Sequence, residues 1–374
     1  MRVALIGPAY PFRGGIAHHT TLLARALRRC HQVRFISFSR QYPAWLYPGR
    51  TDRDPSRAPV RPDGVERLLD PLNPLSWHAA ARAAASFGAE LLILPWWTAF
   101  WAPQSLYVAT RVRAACGARL AVLCHNVAEH EPRWWKRMAC RALLRRADRI
   151  VVHSEANARR ARELVDGSVP VFACPHPSLR GLGLRGHDRA DARRRLGLSK
   201  PVVLFFGFVR EYKGVDVLLD AMARVVRQRE ATLVVAGEFW EDRGRYERRV
   251  HELGLAGRVR LDDRYIPNEE VGLYFAAADL VVQPYLSASA SGVTRLALDF
   301  GRPVIATRVG ALPEVVQDGE NGRLVPPGDA AALADAIVRS FEPAELARLS
   351  RNAAPEDDDS WAALVRALCA NRDR

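Results

Sequence analysis

Short apolar runs recur through this chain with helix-length, polar-faced stretches between them, and they do so in two separate series. The first series is Val3–Ile6, Val33–Ser37, Leu91–Leu94, Leu120–Cys124, Ile150–His153 and Val169–Ala173, interleaved with helical patterns such as Ile16–Arg29 and Pro74–Phe87. The second is Val202–Phe206, Leu233–Ala236, Val259–Leu261, Leu280–Gln283 and Val304–Ala306, interleaved with Val215–Gln228, Tyr246–Leu253 and Glu269–Ala277. Strands that are apolar on both faces and separated by helices pack as a parallel sheet covered on both sides. Residues 176 to 200 are rich in Gly, Arg and Pro and lack strand periodicity, which places an interdomain connection there. A chain of 374 residues suits two α/β domains better than one core.

Charge narrows the partners. The net charge is +14, yet only three of the 55 basic residues are lysines, Lys136, Lys200 and Lys213. That Arg excess fits a GC-rich coding bias better than a nucleic-acid footprint, and no zinc-type spacing, RNA-binding signature or basic tail supports a nucleic-acid partner. Acidic small molecules and anionic lipid are the partners it favours. Six cysteines lie scattered without a C-x-x-C pair, which reads as reduced thiols. Met1 leads straight into Val3–Ile6 with no charged or hydrophobic leader, and the apolar run Leu91 to Pro103 is short for a membrane span. The expectation is a cytoplasmic chain, free or peripheral at the inner membrane face.

The residues at the strand ends carry the chemistry. Val202–Phe206 empties into Gly207-Phe208-Val209-Arg210-Glu211-Tyr212-Lys213-Gly214. Cations at a strand end stabilise charge that builds on a departing diphosphate; Arg210 grips oxygens as a fork and Lys213 acts as a point charge. Ser291-Gly292-Val293-Thr294 opens a helix whose first amides suit an anion, and Gly292 permits close backbone approach. Gly14 and Gly15 stand between the first strand and first helix, where amides approach a phosphate or sugar, or simply form a tight turn. The turn lacks G-x-G-x-x-G, which counts against a nicotinamide enzyme. His125-Asn126 follows Leu120–Cys124 at the rim where open parallel sheets bind ligands. Downstream, Gly301-Arg302-Pro303-Val304 through Pro313-Glu314 reads as a buried strand between Gly/Pro turns and then a helix start, and Gly322-Arg323-Leu324-Val325 as a further short strand.

This series resembles the sugar-nucleotide half of GT-B glycosyltransferases, in particular the retaining glycosyltransferase family 4. The resemblance implies two Rossmann-like doubly wound domains facing across a cleft: an N-terminal acceptor domain over 1–178, joined by a returning C-terminal helix at about 358–374, and a donor domain over 179–357. It implies catalytic roles for His125, Arg210 and Lys213. It implies donor contacts at Gly14, Gly15, Ser291, Gly292, Val293, Thr294, Glu238 and Glu314, with Glu314 equally suited to capping a helix. Two glutamates that the family places eight positions apart fall here on Ala288 and Leu296, and Asp299, one helical turn on, is the candidate substitute for holding the ribose. No D-x-D motif of the kind that holds a metal-bound diphosphate is evident, so no metal is expected, and the nucleotide sugar is a substrate with no separate cofactor. The implied reaction is retaining transfer of a sugar to a carbohydrate or lipid-linked hydroxyl, in polysaccharide or glycolipid assembly. Alternatives are a non-catalytic nucleotide-binding scaffold, motivated by Ala288 and Leu296, and a sugar-nucleotide epimerase, which needs acid and base groups not identified.

Other features admit two readings each. Arg133–Arg146, with Trp134 and Trp135, fits an amphipathic helix with Trp in the core and Arg outside, and less well an interfacial helix at a lipid headgroup. Trp96, Trp97 and Trp101 line an acceptor pocket or pack internally. Glu129, His130 and Glu131 are solvated loop charges or acceptor contacts. Asp357–Asp359 reads as a solvated helix start.

Overall fold

The apolar runs assemble into two fully parallel sheets in a computed structural model that describes residues 1–127, 134–184, 186–353 and 359–370. Among the described residues the elements run β1 (Arg2–Ile6), α1 (Gly15–Arg28), β2 (Gln32–Phe38), β3 (Val65–Leu69), α2 (Pro74–Ser86), β4 (Leu91–Trp96), α3 (Ala102–Cys116), β5 (Arg119–Cys124), α4 (Trp134–Leu144), β6 (Arg149–Val152), α5 (Glu155–Leu164) and β7 (Val171–Ala173). The series continues with α6 (Arg189–Leu196), β8 (Val202–Phe206), α7 (Val215–Gln228), β9 (Thr232–Ala236), α8 (Arg243–Glu252), β10 (Val259–Asp262), α9 (Asn268–Ala277), β11 (Leu280–Gln283) and α10 (Gly292–Asp299). It closes with β12 (Val304–Thr307), α11 (Leu312–Val315), β13 (Gly322–Val325), α12 (Ala330–Ser340), α13 (Pro343–Ala353) and α14 (Ser360–Cys369).

The first sheet has the order β3-β2-β1-β4-β5-β6-β7 and the second β10-β9-β8-β11-β12-β13. Both follow the doubly wound plan, with order reversing beside the first strand of each set. The first compact unit comprises Met1–Asp54, Pro59–Pro177 and Asp359–Arg374; the second comprises Pro55–Ala58 and Ser178–Asp358. Central strands such as β4 and β8 are buried because both faces carry helices. Helix α7 shows how one face is committed: Val215, Leu218, Leu219, Met222 and Val225 form a buried stripe at helical spacing. Each such fully buried aliphatic side chain contributes ~1.5–3 kcal/mol. Side-chain caps fix other starts, with Asn73 accepting from the Leu75 amide ahead of Pro74 and Asp329 from Ala331 and Ala332.

Helix α14 packs in the first unit, where Leu364, Val365 and Leu368 share a core with Val3, Leu5, Leu23 and Leu27. Arg149 and Arg119 donate to the carbonyls of Ala367 and Ala370 at its C-terminal end. Two elements depart from the sequence reading. Strand β3 lies in the stretch given no strand, and α6 lies inside the supposed connection, capped by Asp188 and anchored by buried Ala192 and Leu196. No helix of the described residues is long and apolar enough to cross a membrane.

Candidate active site

The second unit's switch point lies between β8 and β11. Past β8 the chain turns at Gly207, and the Val209 amide donates to the Glu238 carbonyl at 2.9 Å. Gly237, with φ 151°, presses on the same turn: a Cβ there would stand 2.1 Å from the Gly207 carbonyl oxygen. The loop then presents Arg210, makes one 3-10 turn over Glu211–Lys213, and reverses at Gly214, with φ 66°. That glycine is required, because a Cβ would lie 2.1 Å from the Pro284 carbonyl oxygen. The Leu286 amide donates to the Tyr212 carbonyl at 2.7 Å, so the loops after β8 and β11 are stitched together.

This stitching sets Lys213 beside the start of α10. Its Nζ lies 3.5 Å from the point where a Gly207 Cβ would stand, and the Val293 Cγ2 lies 3.7 Å from that same point. Neither Lys213 nor Arg210 forms an ion pair among the described residues, although most arginines around them do. Burial pushes the Lys213 ammonium down to about 8, and the Arg210 charge adds to the effect. The Arg210 guanidinium stands over the rings of Tyr212 and Trp240, at 5.2 and 5.4 Å. The Ser291 side chain does not cap α10. Its Oγ accepts instead from Gln283 Nε2 at 3.0 Å, while the Thr294 hydroxyl donates to Gln283 Oε1 at 2.5 Å. Gln283, at the end of β11, thereby orients the first turn of the helix, a role the sequence reading missed. Two cations and a helix N-terminus without a side-chain cap are groups suited to meeting an anion.

The remaining second-unit candidates separate. Asp299 is buried and its carboxylate accepts from the Ser178 hydroxyl at 3.1 Å and the Leu179 amide at 2.7 Å, with the Arg295 guanidinium 3.2 Å away. Burial outweighs these donors and raises its pKa. The group fastens residues 178–179 to α10. Leu296 packs in the hydrophobic core. Glu238 is buried just past β9, and Glu314 is exposed on α11. The adjoining Gly310 packs against the Ala288 carbonyl.

In the first unit, Gly14 caps α1 with φ 104° and Gly15 is the helix's first residue; a Cβ on either would meet nothing within 4 Å. His125 follows β5, and its amide donates to the Trp96 carbonyl at 2.8 Å. Its ring is buried edge-on to His19, with centroids 4.9 Å apart. Burial holds its pKa well below 6.5, with the His153 ring adding. Trp96 and Trp101 are core residues, and Trp97 donates to the Tyr42 hydroxyl. The amphipathic reading of α4 needs correction: Cys140, Leu143 and Leu144 form its buried face, while Trp134 is 80% exposed and Trp135 and Met138 are exposed too. Helical spacing puts the Trp pair off the stripe these three define. Arg133, Glu129, His130, Glu131, Asp357 and Asp358 lie outside the described residues.

Two doubly wound parallel sheets, one in each unit, are the parts from which the GT-B architecture is built. Residues 14–176 match the family described as "Glycosyl transferase 4-like domain", and residues 200–342 match "Glycosyl transferases group 1". The two matches lie one in each unit, so the chain is similar to 4-like and group 1 glycosyltransferase domains in turn. It is 35% identical over 213 residues to the D-inositol 3-phosphate glycosyltransferase of a Nocardioides species, covering 52% of this chain and 46% of that protein. The chain spans about half the length of the curated relatives it matches. Among solved structures it is similar to sucrose-phosphate synthase from Thermosynechococcus elongatus, with TM-score 0.74, 25% identity and coverage of 97% and 94% of the two chains. Anabaena HepE in complex with UDP shares the fold at TM-score 0.70 and 20% identity, covering 98% and 96%.

Proposed function

We propose that this chain transfers a sugar from a nucleotide-diphosphate donor to an acceptor hydroxyl with retention of anomeric configuration. The observation that carries this reading is the pair Arg210 and Lys213, free of acidic partners among the described residues, beside the first turn of α10. As the bond from sugar to phosphate breaks, negative charge grows on the leaving diphosphate. Lys213 and Arg210 neutralise it, and the amides of Gly292, Val293 and Thr294 add the helix's positive end. The acceptor attacks on the face from which the phosphate departs, and a phosphate oxygen takes the acceptor's proton. In the first unit, Gly14 and Gly15 offer backbone amides and His125 offers a neutral ring N–H, groups of the kind that meet a sugar or phosphate.

The cations and helix dipole do the work that a metal does elsewhere, and the donor is consumed as substrate. The acceptor is a carbohydrate or a lipid-linked sugar. Exposed Trp134 and Met138 beside Arg137 on α4 support a peripheral contact with a lipid surface that carries such an acceptor. Replacing Lys213 with Ala should lower kcat by ~10²–10³ while the fold persists. Turnover of a panel of nucleotide sugars, followed by release of the nucleoside diphosphate, checks this. A Lys213→Ala protein that keeps wild-type turnover removes the proposal's basis. The core position of Leu296 favours one competing reading, a nucleotide-binding scaffold, and that reading predicts no turnover of any donor by wild type.

A further inference from the structure

Four imidazoles from distant parts of the sequence meet inside the first unit. His19 comes from α1, His125 from the end of β5, His153 from the end of β6, and His176 from the segment after β7. Ring centroids stand 5.2 Å apart for His19 and His153, 5.0 Å for His19 and His176, and 4.3 Å for His153 and His176. Metal–nitrogen bonds of ~2.0–2.1 Å in tetrahedral array hold neighbouring imidazole centroids about 5 Å apart. The ligand atoms of these three side chains lie within 4.8 Å of one another. Drawing them to the ~3.4 Å separation of metal-bound nitrogens is within reach of side-chain rotation.

The protons are placed for the same purpose. His153 Nδ1 is 3.1 Å from the Cys174 carbonyl oxygen, which only accepts, so Nδ1 carries the hydrogen and Nε2 keeps its lone pair. A backbone carbonyl on the far nitrogen is the usual support of a metal-bound imidazole. His153 Nε2 is buried with no hydrogen-bond partner among the described residues, and so are both ring nitrogens of His19, a residue only 1% exposed. Each unpaired buried group costs ~1–3 kcal/mol unless a ligand meets it. Burial pushes His19 well below 6.5 and His153 to about 4, so both stay neutral at pH 7, the form that binds metal. Trp361 of α14 stands 5.0 Å from the His19 ring and walls the cluster on that side.

We propose that His19, His153 and His176 form a binding site for a late first-row divalent cation of the zinc class. Imidazole donors select zinc, cobalt, nickel or copper over the oxygen-loving magnesium and calcium. His125, 5.0 Å from His153 and 4.9 Å from His19 between ring centroids, borders the fourth coordination position. The ion ties α1 to the ends of β6 and β7. It takes no part at the diphosphate receptor, which belongs to the other unit.

The test uses the full chain, stripped with a chelator and titrated with Co²⁺ or Zn²⁺ alone. The expected result is one cobalt per chain with the intense visible absorption of four-coordinate cobalt, displaced by zinc, and a higher melting temperature in the metal-bound protein. His153→Gln and His176→Gln should each weaken binding by more than the ~10–100-fold that loss of an outer-shell partner costs, whereas exposed His78→Gln should change nothing. If His153→Gln fails to fold, His176→Gln, at a half-buried site, and the wild-type spectrum decide. Wild type that takes up no cobalt at millimolar concentration overturns the proposal and assigns the unpaired nitrogens to buried water. Weak six-coordinate cobalt that survives both cluster variants overturns it equally.

Discussion

The two units share one strand order but carry opposite chemistry at their strand ends. In the second, the loops after β8 and β11 are stitched by the Leu286–Tyr212 bond and by Gly214 against Pro284, while Gly237 after β9 presses on Gly207, and the result is a close-packed loop bearing two cations. In the first, Gly14 and Gly15 face open space and the strand ends converge on neutral, buried imidazoles. The doubly wound plan decides where a ligand is met; the side chains at those ends decide which ligand. A close-packed loop holds charges that would otherwise repel, as Lys213 and Arg210 do. An open loop leaves the backbone accessible.

The glycines break this contrast most directly. Gly214→Ala should destabilise the protein by ~2–4 kcal/mol, since a left-handed backbone is combined with a collision against the Pro284 carbonyl. Gly14→Ala, at φ 104° and ψ 168° but with no neighbour to strike, should cost ~1–3 kcal/mol from the backbone alone. Chemical denaturation of the two variants checks the difference. Equal losses would mean that packing does not distinguish the loops.

Asp299→Asn sharpens the role of the second unit's buried acid. Loss of charge-assisted bonds to Ser178 and Leu179 should lower stability by ~1–3 kcal/mol and change nucleoside diphosphate affinity less than about twofold. A large loss of affinity with unchanged stability would instead return Asp299 to the ribose.

The smallest effect is one of pH. Lys213 titrates at about 8, so it is charged below that pH and neutral above it. Above about pH 7, where the terminal phosphate is already fully ionised, affinity for a diphosphate should hold to about pH 8 and decline beyond it, because the cationic form binds the anion. Lys213→Arg should move the decline out of range, since a guanidinium stays protonated. The same shift sets a stability trend. With folded pKa below the unfolded value near 10.5, the unfolded chain holds more protons between about 8 and 10.5, and this group's contribution to stability rises with pH there. Diphosphate affinity and folding stability therefore respond to pH in opposite directions.

Much of the fold was legible because buried parallel strands are continuous apolar runs. β1, β4, β5, β8 and β11 stand out for that reason. β3 did not, because Val65-Glu66-Arg67-Leu68-Leu69 is a half-buried edge strand in which Glu66 pairs with Arg34. α6 escaped because Arg189–Leu196 buries only Ala192 and Leu196, too few for a stripe. Arg210, Lys213 and the Ser291–Thr294 turn were readable as segments next to strand ends. Gln283's grip on Ser291 and Thr294 was not, since a buried Gln at a strand end carries no signal until its partners are placed. The imidazole cluster was invisible for a like reason: its members come from three different elements and the segment after β7, with no local spacing to announce a ligand set.

Calorimetric titration of wild type and Lys213→Ala with UDP, GDP, ADP and dTDP tests the central claim most directly. One of these should bind wild type, and Lys213→Ala should bind it at least about tenfold more weakly, the loss expected for a charge-assisted contact of ~1.5–3 kcal/mol. Equal affinity in the two proteins, or no binding of any nucleotide to wild type at millimolar concentration, would contradict it.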